Sequence, residues 1–360
     1  MKHSQQNQSR VQRQRAFSLV ELLCVLLVVV ILVVAAIVAL SRARRSVLKQ
    51  YDGMQIRGVH QSMVTWAGQS QDTYPLVSAI DLKDTIPGID SSTDRSEARK
   101  KDLPRWIMSM LMYNGSFGPQ LLRGLTEVNP AFRVDDEYEY NNPTAVEFAK
   151  RKDAVLDPAF ACYPDEPGGD APIRRANGRA PAPGCSYAFQ TFVGLRGSMW
   201  TCNFKASEAV AGNRGPWYKL DSAGSWVLDP TDRRGKTQTP ANRSNTLLLY
   251  GNGGTWQGNV VRNDNSVAFE SRPDPENLEI KYAAAVSKLG VPKYDNLFAN
   301  EDDAGDGKTY SCDDDRITPA NFDKRKNNYL RCWGGDGTGS NLTIDPVTKQ
   351  ITSIIDFWYD

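Results

Sequence analysis

The first side chain that could do chemistry is a carboxylate next to an apolar segment. Glu21 directly precedes nineteen uninterrupted apolar residues, 22–40. A helix of that length spans about 28 Å, the thickness of the hydrocarbon layer of a bilayer. An ionised side chain at the edge of hydrocarbon is costly and usually persists only with a partner of opposite charge. The sequence therefore predicts a membrane-inserted helix whose carboxylate requires a cation.

The residues around Glu21 resemble the N-terminal segment of the type IV pilin and type II secretion pseudopilin family. A short basic leader is followed by Phe17, and Glu21 is the fifth residue counted from Phe17. The resemblance implies a precursor that a prepilin peptidase cuts between Ala16 and Phe17 and methylates on the new amine, which keeps its positive charge. It also implies a salt bridge between Glu21 of one subunit and the Phe17 ammonium of its neighbour in a helical filament, an oligomer of like or unlike pilus or pseudopilus subunits. Ala16 departs from the family's usual Gly, so slower cleavage, or cleavage elsewhere, is the alternative.

Two other kinds of N-terminal segment were weighed against this resemblance. The apolar middle of a Sec signal peptide has about 7 to 15 residues, so this segment is too long. A plain signal anchor fits the length but gives no reason for Glu21. The anchor reading remains the alternative, with an extracytoplasmic domain that binds calcium, or a carbohydrate that stacks on an exposed Trp217 or Trp256.

Positive charge does not decide the orientation of the span. Four basic residues precede it and four follow it closely: Lys2, Arg10, Arg13 and Arg15, then Arg42, Arg44, Arg45 and Lys49. The family resemblance places the leader in the cytoplasm and everything after Arg42 outside, and a large domain can be translocated despite flanking positive charge. We therefore expect a single-pass protein of the cytoplasmic (inner) membrane, or its processed form in a periplasmic or extracellular filament.

The net charge argues against nucleic acid as a partner. Removing residues 1–16, which carry four positive charges and no acidic side chain, changes the net charge from +1 to −3. Residues 71–360 alone carry −6. Nucleic-acid binding needs a basic face, whereas a mildly acidic domain suits cations.

Histidine and cysteine spacing exclude several kinds of catalytic site. The chain has only His3, in the leader, and His60, which we expect as an exposed residue of the membrane-proximal helix. A Ser-His-Asp or Cys-His site in the external domain is thereby excluded. No two cysteines have CxxC spacing, which a thiolate zinc site would favour. Hydrolysis by carboxylates alone stays open, but no pair stands out. We predict a protein that is not an enzyme.

Six cysteines suggest two disulfides outside the membrane. Cys24 lies in the span, where it packs as a small apolar side chain. The other five lie outside, where an oxidising compartment allows two disulfides and leaves one thiol. Sequence does not fix the connectivity, and near neighbours favour two pairings: Cys162 with Cys185, and Cys312 with Cys332.

Acidic, glycine-containing loops near the C-terminus suggest calcium. Asp302, Asp306 and Asp313 match positions one, five and twelve of an EF-hand loop, although Ala304 breaks position three. The Gly-Gly-Asp-Gly segment at Asp336, followed by the ending 356–358, is similar to the calcium loop that closes the G-type major pseudopilins. We expect calcium at these carboxylates, with solvated, metal-free loops as the alternative.

Periodicity then gives the elements that position these residues. Apolar residues at helical spacing predict that the first helix continues to about Ala67 and lays an apolar stripe on the globular domain. That stripe comprises Val47, Tyr51, Met54, Val59, Met63 and Trp66. Helices are also predicted at 103–113, 143–156 and 275–289, and strands at 186–193, 226–228, 245–250, 259–261, 266–269 and 350–359.

The predicted fold class is α+β and pilin-like: a long N-terminal helix, half transmembrane and half amphipathic, packed on an antiparallel sheet domain with long loops. The predicted organisation is a leader at 1–16, a transmembrane helix at 17–40, a membrane-proximal helix at 41–70 and a globular domain at 71–360.

Overall fold

A computed structural model describes most of the chain after the leader. The described residues are 18–164, 173–230, 240–251, 253–280, 292–301, 312–313, 327–335, 343–345, 347, 351 and 356–358. The chain forms two compact units, Met1–Leu48 and Lys49–Asp360.

One long helix, α1 (Leu19–Ala67), runs through 49 residues and confirms the predicted N-terminal element. Its first half is apolar enough to cross a membrane, with a mean hydropathy of 3.6 over its best 18-residue window. The side chains of that window are exposed in the protein alone. Apolar side chains turned outward on every face indicate that lipid or other protein surrounds this half.

The second half of α1 supplies part of the core of the second unit. The predicted stripe is only partly right, because Val59 and Met63 are fully buried while Tyr51 and Met54 are exposed. The buried face is rotated toward Asp52 and Gly53. A Cβ on Gly53 would lie 3.4 Å from Val267, an ordinary contact distance, so this face of the helix packs directly on the sheet and has room for a methyl group.

The strands are short, as the turn-rich composition predicts. In chain order they are β1 (Tyr187–Gln190), β2 (Ala209–Asn213), β3 (Tyr218–Leu220), β4 (Trp226–Leu228), β5 (Gly258–Arg262), β6 (Val267–Glu270), β7 (Asn300–Glu301), β8 (Cys312–Asp313), β9 (Leu330–Arg331), β10 (Trp333–Gly334) and β11 (Asp356–Phe357). An antiparallel sheet has the order β6-β5-β2-β1-β9, and three further pairs are β3-β4, β7-β8 and β10-β11. The predicted α+β class with an antiparallel sheet is confirmed.

The central strand of the sheet, β2, was not predicted, whereas the β5-β6 hairpin at its edge was. The β5-β6 hairpin turns at 263–266, and Asn265 takes a φ of 63°, a left-handed conformation that Asn tolerates. Strand β2 has the sequence Ala-Val-Ala-Gly-Asn and was not predicted, since Ala, Gly and Asn are weak strand formers. All five of its residues are buried, so tertiary packing overrides its composition.

The helix predictions outside α1 give mixed results. Helix α3 (Pro104–Tyr113) is confirmed, with Pro104 in its first turn. A four-residue helix, α2 (Val77–Ile80), forms where none was predicted. The predicted helix at 143–156 is wrong, because only a 3₁₀ helix, Phe148–Asp153, forms there and it buries none of its residues. Residues 275–280 form no helix: 276–277 are a turn and Glu279 forms an antiparallel β-bridge with Tyr294, whereas 281–289 lie outside the described residues.

The predicted strand at 245–250 is also wrong. A 3₁₀ helix, Asn245–Leu248, forms there instead. Its cap explains the difference, since the Ser244 hydroxyl accepts a hydrogen bond from the Thr246 amide.

Buried ion pairs fix the long loops between these elements. The Arg175 guanidinium binds Asp135 at 2.6 Å and Asp157 at 2.7 Å, with all three side chains almost fully buried. Arg175 lies between Cys162 and Cys185, so these ion pairs hold its part of that segment in the interior. Two further buried pairs act alike: Arg214 with Glu127, and Lys101 with Asp81 and Asp84.

Candidate functional site

Glu21 lies in the first turn of α1 and is exposed. The helix begins with a hydrogen bond from the Leu22 amide to the Ser18 carbonyl, 3.1 Å long. The positive end of the helix dipole favours a carboxylate at this position. The first basic residue of α1 is Arg42, about 30 Å further along the axis. A cation for Glu21 therefore has to come from before residue 18 or from another molecule.

The cleavage and metal predictions fall largely outside the described residues. Ala16 and Phe17 lie outside them, and so do three of the predicted calcium ligands, Asp302, Asp306 and Asp336. The backbone of Asp313 lies in β8, but its side chain is outside the described set. Within the described residues no cluster of three or more His, Cys, Asp or Glu side chains is arranged around a common point. Calcium at the C-terminal loops stays a prediction.

A buried carboxylate joins α1 to the sheet of the second unit. Asp52 is fully buried and accepts hydrogen bonds from the Tyr187 hydroxyl and the Asn259 amide, both at 2.9 Å. Tyr187 begins β1 and Asn259 lies on β5, so one side chain of the helix contacts two strands. Burial, and next the Asp52 charge, raise the pKa of Tyr187 well above its usual value. The sequence analysis did not single out Asp52. Its burial could have been predicted from its helical spacing to Ile56, Val59 and Met63, which places all four residues on one face of α1.

The only histidine outside the leader is also buried, against the expectation of an exposed helix residue. His60 has no exposed surface; its Nδ1 lies 3.0 Å from Asn265 Oδ1, and its Nε2 lies 2.7 Å from the Tyr74 hydroxyl. Desolvation lowers the pKa of His60, although the Asn265 hydrogen bond and the charge of Asp264 act in the opposite direction. His60 thus ties α1 to the β5-β6 turn as a neutral side chain.

Three of the predicted disulfide cysteines meet near the start of β1. Cys162 and Cys185 are both buried. They also lie next to each other in space, since the Cys185 amide donates to the Cys162 carbonyl at 2.9 Å. The Sγ atoms of Cys185 and Cys332 lie 3.9 and 3.8 Å from one oxygen, the Tyr187 carbonyl. The side chain of Cys312 is outside the described residues. The pairing of Cys162 with Cys185 agrees with this proximity and stays a prediction.

The two tryptophans named as carbohydrate platforms are core residues. Trp217 is covered by the Arg331 guanidinium, 3.4 Å above its ring centroid. Trp256 is fully buried, and its indole N–H donates to the Arg214 carbonyl at 3.0 Å. That prediction is wrong for both, because neither side chain is exposed.

Comparison with known proteins assigns the N-terminal segment. Residues 11–37 match the family described as the prokaryotic N-terminal methylation motif. No curated protein and no solved structure matches the chain. The matched segment contains Ala16, Phe17 and Glu21 and reaches into the apolar half of α1. The motif and the apolar helix together support a type IV pilin-like protein with a single-pass membrane anchor, and they leave the globular unit unassigned.

Proposed function

We propose that this type IV pilin-like chain is a structural, non-catalytic subunit of a type IV pilus or of a type II secretion-like filament. A prepilin peptidase removes residues 1–16, and the Phe17 amine is methylated. The observation that carries the proposal is the methylation motif at 11–37, which frames both Phe17 and Glu21.

Assembly follows from the chemistry of α1. Its apolar half exposes side chains on every face and leaves the bilayer only if other apolar helices replace the lipid. Glu21 sets the register by pairing with the Phe17 ammonium of a neighbouring copy, and this pairing offsets the desolvation of both groups. The leader lies in the cytoplasm, and the unit Lys49–Asp360 coats the outside of the filament.

The exposed side chains that follow the membrane half extend this surface. Tyr51 and Met54 share one face of α1, one turn apart, and both are exposed on the side opposite the buried residues. A neighbouring helix that packs along α1 would cover them. Their position supports a packed filament better than an isolated membrane anchor.

The N-terminus of the native protein tests the processing step. We expect mass spectrometry to find a chain that begins with N-methylated Phe17. A native chain that keeps residues 1–16 would refute the proposal and favour a signal anchor.

Substitution of Glu21 tests the assembly step. Glu21→Gln keeps the shape and removes the charge, so we expect normal membrane insertion, normal processing and no filaments. Glu21→Asp keeps the charge on a shorter side chain and should restore assembly in part. Abundant filaments from Glu21→Gln would contradict the role of the ion pair and leave the cleavage result standing.

A further inference from the structure

A second candidate site lies in the unit Lys49–Asp360, and no residue of α1 lines it. A cleft of about 630 Å³ opens between the β3-β4 hairpin and the segments 254–256, 271–274 and 292–294. Small-molecule sites usually have volumes of about 300–1,000 Å³. The filament subunit proposed above has no use for this cleft.

The wall of the cleft carries an aromatic ring that is only partly covered. Trp226 on β4 is half-buried, with part of its side chain packed on the core. Among the described residues it stacks on no other ring, so the uncovered part of its side chain is left to the cleft that it lines.

The rim of the cleft offers fixed hydrogen-bonding groups of both kinds. The Arg272 guanidinium holds the Asp274 carboxylate through two contacts, 2.9 Å from Nε and 2.6 Å from a terminal nitrogen. Lys293 binds Glu279 at 3.1 Å and lies 5.0 Å above the ring of Tyr294. Guanidinium and ammonium groups donate, and carboxylates accept, so each pair can bind hydroxyl groups that do both.

Charge decides between neutral and anionic ligands. Both cations of the cleft wall are already paired with carboxylates, and Arg272 has a second one, Glu276, at 3.6 Å. An anionic polymer would have to displace these partners. A neutral polyhydroxylated ligand can bind the pairs as they stand.

From these observations we infer that the cleft binds a neutral oligosaccharide, with a sugar ring stacked on Trp226 and its hydroxyl groups hydrogen-bonded to the Arg272–Asp274 pair. Sugar rings combine an apolar C–H face with hydroxyl groups at the edge. Trp226 and the ion pair present the complementary surfaces side by side. The stacking ring is Trp226, not the buried Trp256 that also lines the cleft.

Calorimetry on the full chain tests the inference. The protein is placed in lipid nanodiscs, because alkyl glycoside detergents would themselves compete for a sugar site. The probes are cellotetraose and chitotetraose, with a sulfated heparin tetrasaccharide as the anionic comparison. The cleft variants are Trp226→Leu and Asp274→Asn. The matched control is Trp66→Leu, a half-buried tryptophan on α1 that does not line the cleft.

We expect at least one neutral probe to bind with a Kd of about 1 mM or tighter. Trp226→Leu should weaken that binding at least about tenfold, Asp274→Asn should weaken it measurably, and Trp66→Leu should not change it. Melting curves establish which variants fold. If Trp226→Leu does not fold, the affinity of Asp274→Asn for the neutral probe tests the inference. The inference is overturned if neither neutral probe binds, if the sulfated probe binds more tightly, or if the cleft variants bind like the control.

Discussion

At the residue scale, the interior of the large unit holds ionisable side chains that composition alone would place at the surface. Asp52, His60 and Arg175 are all buried, and each contacts two other parts of the chain. A buried polar group without partners is expensive, so each of these side chains specifies its partners. Long loops with little regular structure acquire defined positions in this way.

Asp52→Ala should destabilise the large unit by about 3 kcal/mol, because it leaves the Tyr187 hydroxyl buried without an acceptor and removes one of the two acceptors of the Asn259 amide, the other being the Lys49 carbonyl. Glu147→Ala, at an exposed position, should change the free energy of unfolding by less than about 0.5 kcal/mol. Tryptophan fluorescence during melting measures both, since all eight tryptophans lie at or after Trp66. Equal melting of the two variants would contradict a structural role for Asp52.

His60 should make the large unit less stable in acid. Its pKa in the folded chain is below its unfolded value of about 6.5, so the unfolded chain binds the proton first as the pH falls. The stabilisation is complete above about pH 6.5 and is lost below it, by at most about 1.4 kcal/mol per pH unit. His60→Gln should show a shallower loss than the wild type between pH 7.5 and 5.5 in melting experiments. Parallel losses in the two proteins would assign the acid sensitivity to carboxylates instead.

The adjacent cysteines make a prediction about covalent structure. Cys162 and Cys185 should form a disulfide in protein exported to an oxidising compartment, because a direct backbone hydrogen bond holds them together. Peptide mapping without reduction should recover the two peptides joined. A link from Cys185 to Cys332, whose sulfurs share the Tyr187 carbonyl, would replace this pairing.

At the element scale, α1 is one continuous helix although Gly53 and Gly58 interrupt its apolar pattern. Gly53 lies on the face that packs on the sheet, with Asn259 and Val267 at ordinary contact distance from the position of a Cβ. The stripe prediction was partly wrong because the face of α1 that contains Asp52 and Gly53 packs on the sheet, while Tyr51 and Met54 are exposed.

Alanine substitutions separate these roles. Gly53→Ala places a Cβ at ordinary contact distance, 3.4 Å from Val267, so the gain in helix propensity should stabilise the unit by up to about 1 kcal/mol. Gly58→Ala should gain less, because Leu121 at 3.2 Å must shift. Gly124→Ala should destabilise, since its Cβ would lie 2.7 Å from an Asp52 oxygen. Chemical denaturation ranks the three; destabilisation by Gly53→Ala would mean that the helix needs flexibility there.

At the scale of the whole molecule, the helix that anchors the protein is also part of the core of its large unit. The compact unit begins at Lys49, well before the end of α1. Movement of the anchor into a filament would therefore carry the large unit with it as one piece from Lys49 onward.

Truncation tests this division. A fragment of residues 49–360 should melt cooperatively, whereas a fragment of residues 68–360 should not fold. The shorter fragment lacks Ile56, Val59 and Met63, which are all fully buried. Burial of each such side chain stabilises the fold by about 1.5–3 kcal/mol, and the contacts of Asp52 and His60 are lost as well. That loss is comparable to the total stability of a domain, about 5–15 kcal/mol. Cooperative melting of the shorter fragment, measured by circular dichroism, would show that α1 is dispensable.

The sequence by itself determined what depends on local pattern and composition. It predicted the apolar span with Glu21 at its start, the extent of α1 to Ala67, helix α3 with Pro104 in its first turn and the β5-β6 hairpin, because periodicity, Pro104 and the Asn-rich turn act within a few residues. The tertiary structure decided the face that α1 buries, the strand at Ala209–Asn213 and the burial of Asp52, His60, Trp217 and Trp256. These depend on partners from other elements of the fold, such as Tyr187 for Asp52, 135 residues away in the chain, and no local pattern records such a partner.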